Sequence, residues 1–155
     1  MTDATAVLSE DNEGHTLTMS RRFAAPRERV FAAWTDRALV AQWFGPMNAT
    51  CTIHAWDARP GGAYSLTLHE SDGDDMPLSG EFREISPPER LVITWVWGKG
   101  AMEGRETVLA LDFEEAGGDT VLHLRHSLLP DEDWAKKHSM GWGSCFDSLE
   151  ASLAA

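Results

Sequence analysis

Histidine, cysteine, serine and tryptophan are the residues of this chain with chemistry to offer. His54, His69, His123, His126 and His138 are the candidates for a metal set or a general base. No two of them have the i, i+4 helical spacing, with a carboxylate between, that a zinc site uses. His54 alternates in phase with Trp56 on one strand face, and His138 falls on the apolar side of a C-terminal helix. From either position an imidazole can exchange a proton or a hydrogen bond with a bound molecule, although a hydrogen-bonded structural histidine fits the same pattern. Ser139 and Ser144 lack the strained Gly-x-Ser-x-Gly turn of a serine nucleophile. Cys51 and Cys145 are far apart and match no metal or redox spacing, so they read as two buried free thiols. Arg59, in Arg59-Pro60-Gly61-Gly62, is either a ligand anchor or the partner of Asp57 that holds the turn. Asp72, Asp74 and Asp75 lack the glutamate and spacing of a calcium loop and read as a solvated hairpin tip. No catalytic residue, metal set or cofactor motif is assigned.

The seven tryptophans are the compositional excess. Large rigid rings suit a pocket for an apolar guest, and ordinary core packing is the competing reading of each. The expected pocket is lined by Trp43, Phe44, Met47, Trp95, Trp142 and Cys145, with His54, Trp56, Tyr64, Trp97 and His138 as further ligand-facing candidates. Trp95 and Trp97 share a strand face, and the C-terminal helix carries glycine and cysteine where a solid core would prefer leucine. Small residues opposite large rings leave room. The expected guest is a small hydrophobic or aromatic molecule.

The bulk numbers set limits. With 155 residues the chain is long enough for one domain with a real core, and 43% hydrophobic against 25% charged residues is ordinary globular composition. A formal charge of −12 and a pI of about 4.8 argue against nucleic acid and against an anionic membrane surface. There is no basic-then-apolar leader and no apolar run of the roughly 20 residues that a membrane span requires. A soluble, cytoplasmic protein is expected.

The elements that must position these residues follow from periodicity. From Asp131 onward, Trp134, His138, Gly141, Trp142, Cys145, Leu149 and Leu153 fall on one helical face and Lys136, Asp147 and Glu150 opposite, with Asp131 as cap. Gly141 lies on the apolar face, which predicts a bulky neighbour close to the backbone there. Residues 1–14 are acidic and aperiodic and read as a loose tail, with a single domain over 15–155. Leu17, Met19, Arg21 and Phe23 alternate as a strand. Pro26 opens a short helix with Val30, Phe31 and Trp34 inside. Thr35-Asp36 ends it and caps a second, with Leu39, Val40 and Trp43 inside, stopped by Gly45-Pro46. Six further strands are predicted: Thr50 to Asp57, Ala63 to His69, Leu78 to Ile85, Leu91 to Trp97, Thr107 to Phe113 and Val121 to His126. They are separated by turn signals such as Ser71-Asp72-Gly73-Asp74 and Gly117-Gly118-Asp119.

The ordered motifs resemble one family. Arg22-Phe23-Ala24-Ala25-Pro26, Val30 to Asp36 and Trp43-Phe44-Gly45-Pro46 are similar to its opening signature. Asp57-Ala58-Arg59-Pro60-Gly61-Gly62, Pro88-Glu89-Arg90-Leu91 and Gly141-Trp142, with Phe146, Asp147, Leu149 and Leu153, follow in order. The chain from His15 on resembles the activator of ninety-kilodalton heat-shock protein ATPase-like (AHSA-type) family of the START-like, SRPBCC helix-grip superfamily. The resemblance implies an α+β, Bet v-like fold: a seven-stranded antiparallel sheet curved around a long C-terminal helix, with two short helices after the first strand. It also implies an apolar cavity, with Trp43, Trp95 and Trp142 on elements around it. Members of the superfamily bind lipids, hormones, polyketides or aromatics, or act as cyclases. The leading expectation is therefore a hydrophobic-ligand-binding protein without turnover. The alternatives are a cyclase- or hydrolase-type enzyme in which His138 or His54 moves protons, and an interaction module for a heat-shock ATPase.

Overall fold

The computed structural model describes residues 5–11, 13–45, 49–70 and 72–154. In chain order the strands are β1 (Thr5–Asp11) and β2 (Gly14–Phe23), followed by the helices α1 (Arg27–Thr35) and α2 (Arg37–Trp43). Then come β3 (Thr50–Trp56), β4 (Ala63–His69), β5 (Asp75–Ser86), β6 (Arg90–Trp97), β7 (Glu106–Ala116), β8 (Asp119–Leu129) and the closing helix α3 (Glu132–Ala154). All eight strands join one antiparallel sheet in the order β1-β2-β8-β7-β6-β5-β4-β3. Helix α3 lies on one face of the sheet, which gives the expected α+β helix-grip arrangement.

Among the described residues the strand count is eight rather than seven. The additional strand, β1, comes from the segment read as a loose tail, and it pairs with β2 from Thr5↔Ser20 to Asp11↔Gly14. Its sequence hides this because it is an edge strand. Val7, Ser9, Glu10 and Asp11 are exposed, and only Leu8 is packed against the core, so no apolar alternation exists to be read. Backbone hydrogen bonds to β2, which period-2 patterning does not report, hold it in place.

The sheet turns its apolar alternation toward α3. Leu17, Met19 and Phe23 of β2, Leu66 and Leu68 of β4, Leu91, Ile93 and Trp95 of β6, Leu109, Leu111 and Phe113 of β7, and Leu122 and Leu124 of β8 are all buried. Helix α3 answers with Ala135, His138, Trp142, Cys145, Phe146, Leu149 and Leu153. Phe23 and Phe146 meet edge to face with centroids 5.8 Å apart. The helix opens as its sequence demands: Asp131 Oδ1 accepts the backbone N–H of Trp134 at 2.9 Å.

Helices α1 and α2 pack beside α3 through Trp34, whose ring centroid lies 4.7 Å from Trp43 and 5.9 Å from Trp142. Asp36 joins them as predicted. Its backbone N–H closes α1 on Ala32 O, and its carboxylate accepts the N–H groups of Ala38 and Leu39. The Arg59-Pro60-Gly61-Gly62 turn is clamped to β5 by Gly61 N–H to Phe82 O and Phe82 N–H to Gly62 O. Arg59 bonds Asp57 at 2.9 Å, the structural alternative of the two anticipated for it. Among the described residues no helix is long and apolar enough to cross a membrane.

Candidate functional site

A pocket of about 250 Å³ opens between the first half of α3, the end of β6 and the glycine-rich segment 98–105. Each element delivers side chains by its own period. Strand β6 places Trp95 and Trp97 on one face. Helix α3 places Trp134, His138, Gly141, Trp142 and Cys145 along one side, at i, i+4, i+7, i+8 and i+11. Phe44 enters from the end of α2, Leu68 and Glu70 from the end of β4, Met76 from β5, and Met102 from the loop. The wall is continuous: Trp95 stands 5.4 Å from Trp97 at 89°, 5.0 Å from Trp142 and 5.9 Å from Phe44, centroid to centroid.

Of the sequence-predicted residues, Phe44, Trp95, Trp97, His138, Trp142 and Cys145 are brought together here. Trp43 lies behind Phe44, buried against Trp34, with its indole N–H on Ala33 O at 2.7 Å. Trp56 and Tyr64 are elsewhere. They border a void of about 10 Å³ with Trp34 and Phe82, room for no more than about one water. The indole of Trp56 donates to Thr35 O, and the Tyr64 hydroxyl, whose pKa burial pushes up, donates to Thr94 O at 2.6 Å. Met47 lies outside the described residues.

His54 contradicts its expectation. It is exposed, and its Nε2 pairs with Thr67 Oγ1 at 2.8 Å. The cause is a bulge: the β3–β4 register shifts between Ile53 and Ala55, with His54 as the extra residue. A bulge inverts the side-chain alternation, so Ile53 and Trp56 face inward while His54 does not. Gly141 is the second correction. Apart from its chain neighbours and the helix's own backbone, no heavy atom lies within 4 Å of where its Cβ would sit, because that side of the helix faces the open pocket and not a packed neighbour.

Hydrogen bonds fix the protonation of the two buried histidines. An indole N–H only donates. Trp97 Nε1 donates to His138 Nε2 at 3.2 Å, so His138 carries its proton on Nδ1 and gives it to Trp134 O at 2.8 Å. Trp142 Nε1 donates to His126 Nδ1 at 3.1 Å, so the His126 proton is on Nε2 and goes to Thr107 Oγ1, which passes its own to Trp95 O. Burial pushes both imidazole pKa values down, that of His126 further, with His138 beside it adding to the effect. Both rings are neutral and neither has a free nitrogen. The Cys145 thiol is pushed up to about 12 by burial, against a backbone hydrogen bond with Gly45 that lowers it; it is a thiol and not a thiolate nucleophile.

Sequence reasoning missed Leu68, Glu70, Met76, Lys99, Met102 and Lys137 as pocket residues, and counted Trp134 among the tryptophans suited to a pocket without assigning it to this one. Trp134 and Met102 had left a signal. Trp134 lies on the apolar helical stripe, and Met102 is a large apolar residue inside a polar glycine loop, buried to 3% exposure. His126 is fully buried and in phase with Leu122 and Leu124, which marked it as an inward residue. Among the described residues no group of three or more His, Cys, Asp and Glu could hold a metal ion.

Residues 24–154 match the family model described as Activator of Hsp90 ATPase homolog 1-like protein. No curated protein matches the chain. Among solved structures, the AHSA1 protein from Silicibacter pomeroyi is 28% identical, with a TM-score of 0.80 over 90% of this chain and 97% of that one. A protein from Chromobacterium violaceum is 25% identical, with a TM-score of 0.79 over 88% and 95%. CalU16 from Micromonospora echinospora is 26% identical, with a TM-score of 0.71 over 99% and 86%.

Proposed function

The chain belongs to the Activator of Hsp90 ATPase homolog 1-like family, and from that premise we propose that it binds a small apolar, ring-containing molecule in the pocket between α3, β6 and segment 98–105. The observation that carries this reading is the lining: four tryptophans, one phenylalanine and two methionines around about 250 Å³. An apolar cavity of about 150 Å³ takes a benzene ring, so this one has room for a substituted ring. The aromatic faces supply dispersion and stacking, and their shape sets which guest fits.

The arrangement speaks against turnover by the residues first considered for it. His138 would have to release Trp97 or the Trp134 carbonyl before taking a proton. His54 is on the other side of the strand from the pocket, and Cys145 holds its proton. A heat-shock ATPase is the partner that the family description supplies, and stimulated ATP hydrolysis on adding this protein is the observation that would establish it.

Titration with a panel of aromatic and aliphatic compounds, followed by tryptophan fluorescence and melting temperature, tests the binding reading. Ligands should quench emission and raise the melting temperature by mass action. Mass spectrometry of the native protein should find a retained guest. A silent panel and an empty native spectrum would overturn the reading.

A further inference from the structure

We propose, resting on the ligand-binding reading above, that the guest of this pocket is an organic cation: an apolar or ring-bearing amine whose body lies among Trp95, Trp97, Trp134 and Trp142 and whose ammonium lies beside Glu70. Three charged residues line the pocket, Glu70, Lys99 and Lys137. Two of them are engaged. The Lys99 ammonium is held by the Asp74 carboxylate and lies 3.3 Å from the carbonyl of Asp75. The Lys137 ammonium sits over the Trp134 ring, 4.3 Å from its centroid. The Glu70 carboxylate, half-buried, has no hydrogen bond or ion pair with any described residue.

The neighbouring carboxylates are not in that position. Asp74 has Lys99, Asp75 has His69 Nδ1 at 2.8 Å, and Asp72 accepts the backbone N–H of Asp74 at 2.9 Å. Glu70 is therefore the one carboxylate of the lining and has no counter-charge among the described residues, while Lys137 has a ring and no carboxylate as its partner; an ammonium seated beside Glu70 supplies the counter-charge missing there. The field of Glu70 reaches inward, because its negative charge disfavours ionisation of the buried Cys145 thiol. The pKa of Glu70 is itself raised, first by burial and then by Asp72 and Asp74, as expected of a carboxylate short of a counter-charge.

The aromatic wall suits the same guest. Indole faces attract cations through their quadrupole, more strongly once water is excluded. Lys137 over Trp134 shows an ammonium already resting on this wall. An anionic guest would be repelled by Glu70 and by the net charge of −12, and would have to turn to the Lys137 ammonium instead.

Three probes with one ring and different charge test the inference: 1-naphthylmethylamine, 1-naphthalenemethanol and 1-naphthoic acid, titrated calorimetrically at pH 7.5. The amine should bind about tenfold tighter than the alcohol, and the acid weakest. Glu70→Gln should bring the affinity of the amine down to that of the alcohol in the same variant, with an unaltered melting temperature as the check on folding. In the wild-type protein, added salt should weaken the amine and spare the alcohol. Equal affinities for amine and alcohol, or a preference for the acid, would overturn the charge assignment and leave the pocket standing. If none of the three binds, this inference is overturned, and the compound panel and native mass spectrum described above decide the ligand-binding reading separately.

Discussion

The rings of His126 and His138 meet edge to face, with their centroids 4.9 Å apart. One comes from β8 and the other from α3, so the pair ties the sheet to the helix at the pocket, with His138 in the wall and His126 behind it. Each ring is held neutral by an indole N–H on its acceptor nitrogen, Trp142 for His126 and Trp97 for His138. Two imidazoles this close cannot both become cations in a buried setting without a large cost.

That neutrality makes stability pH-dependent. Both folded-state pKa values lie below the ordinary 6.5, so the unfolded chain takes up protons first as pH falls. A group with a depressed folded pKa of this kind leaves stability intact above about pH 6.5 and removes it as pH drops below that value. The limit is about 1.4 kcal/mol per pH unit for each histidine. Denaturant melts between pH 7.5 and 5 should therefore show a falling midpoint, beginning near 6.5. His126→Leu should be less stable at pH 7.5 but show a shallower slope. A variant with the wild-type slope would mean that His126 does not contribute to it.

Trp142→Phe isolates the hydrogen bond from the ring. Phenylalanine keeps an aromatic face toward Trp95 and Phe44 but leaves His126 Nδ1 without a donor, and an unsatisfied buried acceptor costs about 1–3 kcal/mol. The double variant Trp142→Phe/His126→Leu should lose less than the sum of the two single changes, since one interaction is removed twice. Strict additivity in urea melts would show that the 3.1 Å contact has no energetic coupling.

Gly80 is a backbone requirement in β5. A Cβ there would collide with the carbonyl oxygen of Thr94 and come within 2.7 Å of Tyr64 Cε2. That carbonyl accepts the Tyr64 hydroxyl, and the Thr94 side chain accepts the Glu81 N–H at 2.8 Å. Gly80→Ala should thus cost about 2–4 kcal/mol, above the usual 1–3 kcal/mol of overpacking, because it strains the sheet and this network together. A thermal midpoint within a degree of wild type would count against this account.

What the sequence disclosed follows from how strongly each element is patterned. Helix α3 was legible because its apolar side repeats over six turns and its cap is a single aspartate. The inner strands were legible because one face is buried and the other wet. Strand β1 was not, because an edge strand with one inward residue leaves no period. The bulge at His54 was invisible for a related reason: nothing in Ile53-His54-Ala55 announces an extra residue, yet it sets which side His54 faces. The tryptophan wall could be anticipated from Trp95, Trp97 and Trp142. Glu70, Lys99 and Lys137 could not, because charged residues after a strand, in a loop and on the second turn of a helix read as solvated until tertiary folding brings them to one opening.

Gly141 separates packing from ligand binding. On the wheel it shares the apolar face of α3 with Trp142 and Cys145, where added bulk would normally cause strain. In the structure a Cβ at position 141 meets nothing within 4 Å, and the same is true at Gly143. Both substitutions should gain the roughly 1 kcal/mol by which glycine disfavours a helix interior. Gly143→Ala, which is not a lining position, should raise the melting temperature slightly and leave ligand affinity alone. Gly141→Leu should be neutral or stabilising in the same melt while extending its side chain into the pocket among Trp97, Trp134 and Met102. Binding of any guest that fills the wild-type pocket should then fall by tenfold or more, an order-of-magnitude figure for losing a well-packed contact. Melting curves and fluorescence titrations on the two variants give four readings, and the pattern matters more than any one of them. A destabilised Gly141→Leu would restore the close-packed view of this face. A stable Gly141→Leu with undiminished affinity would move the ligand site away from α3.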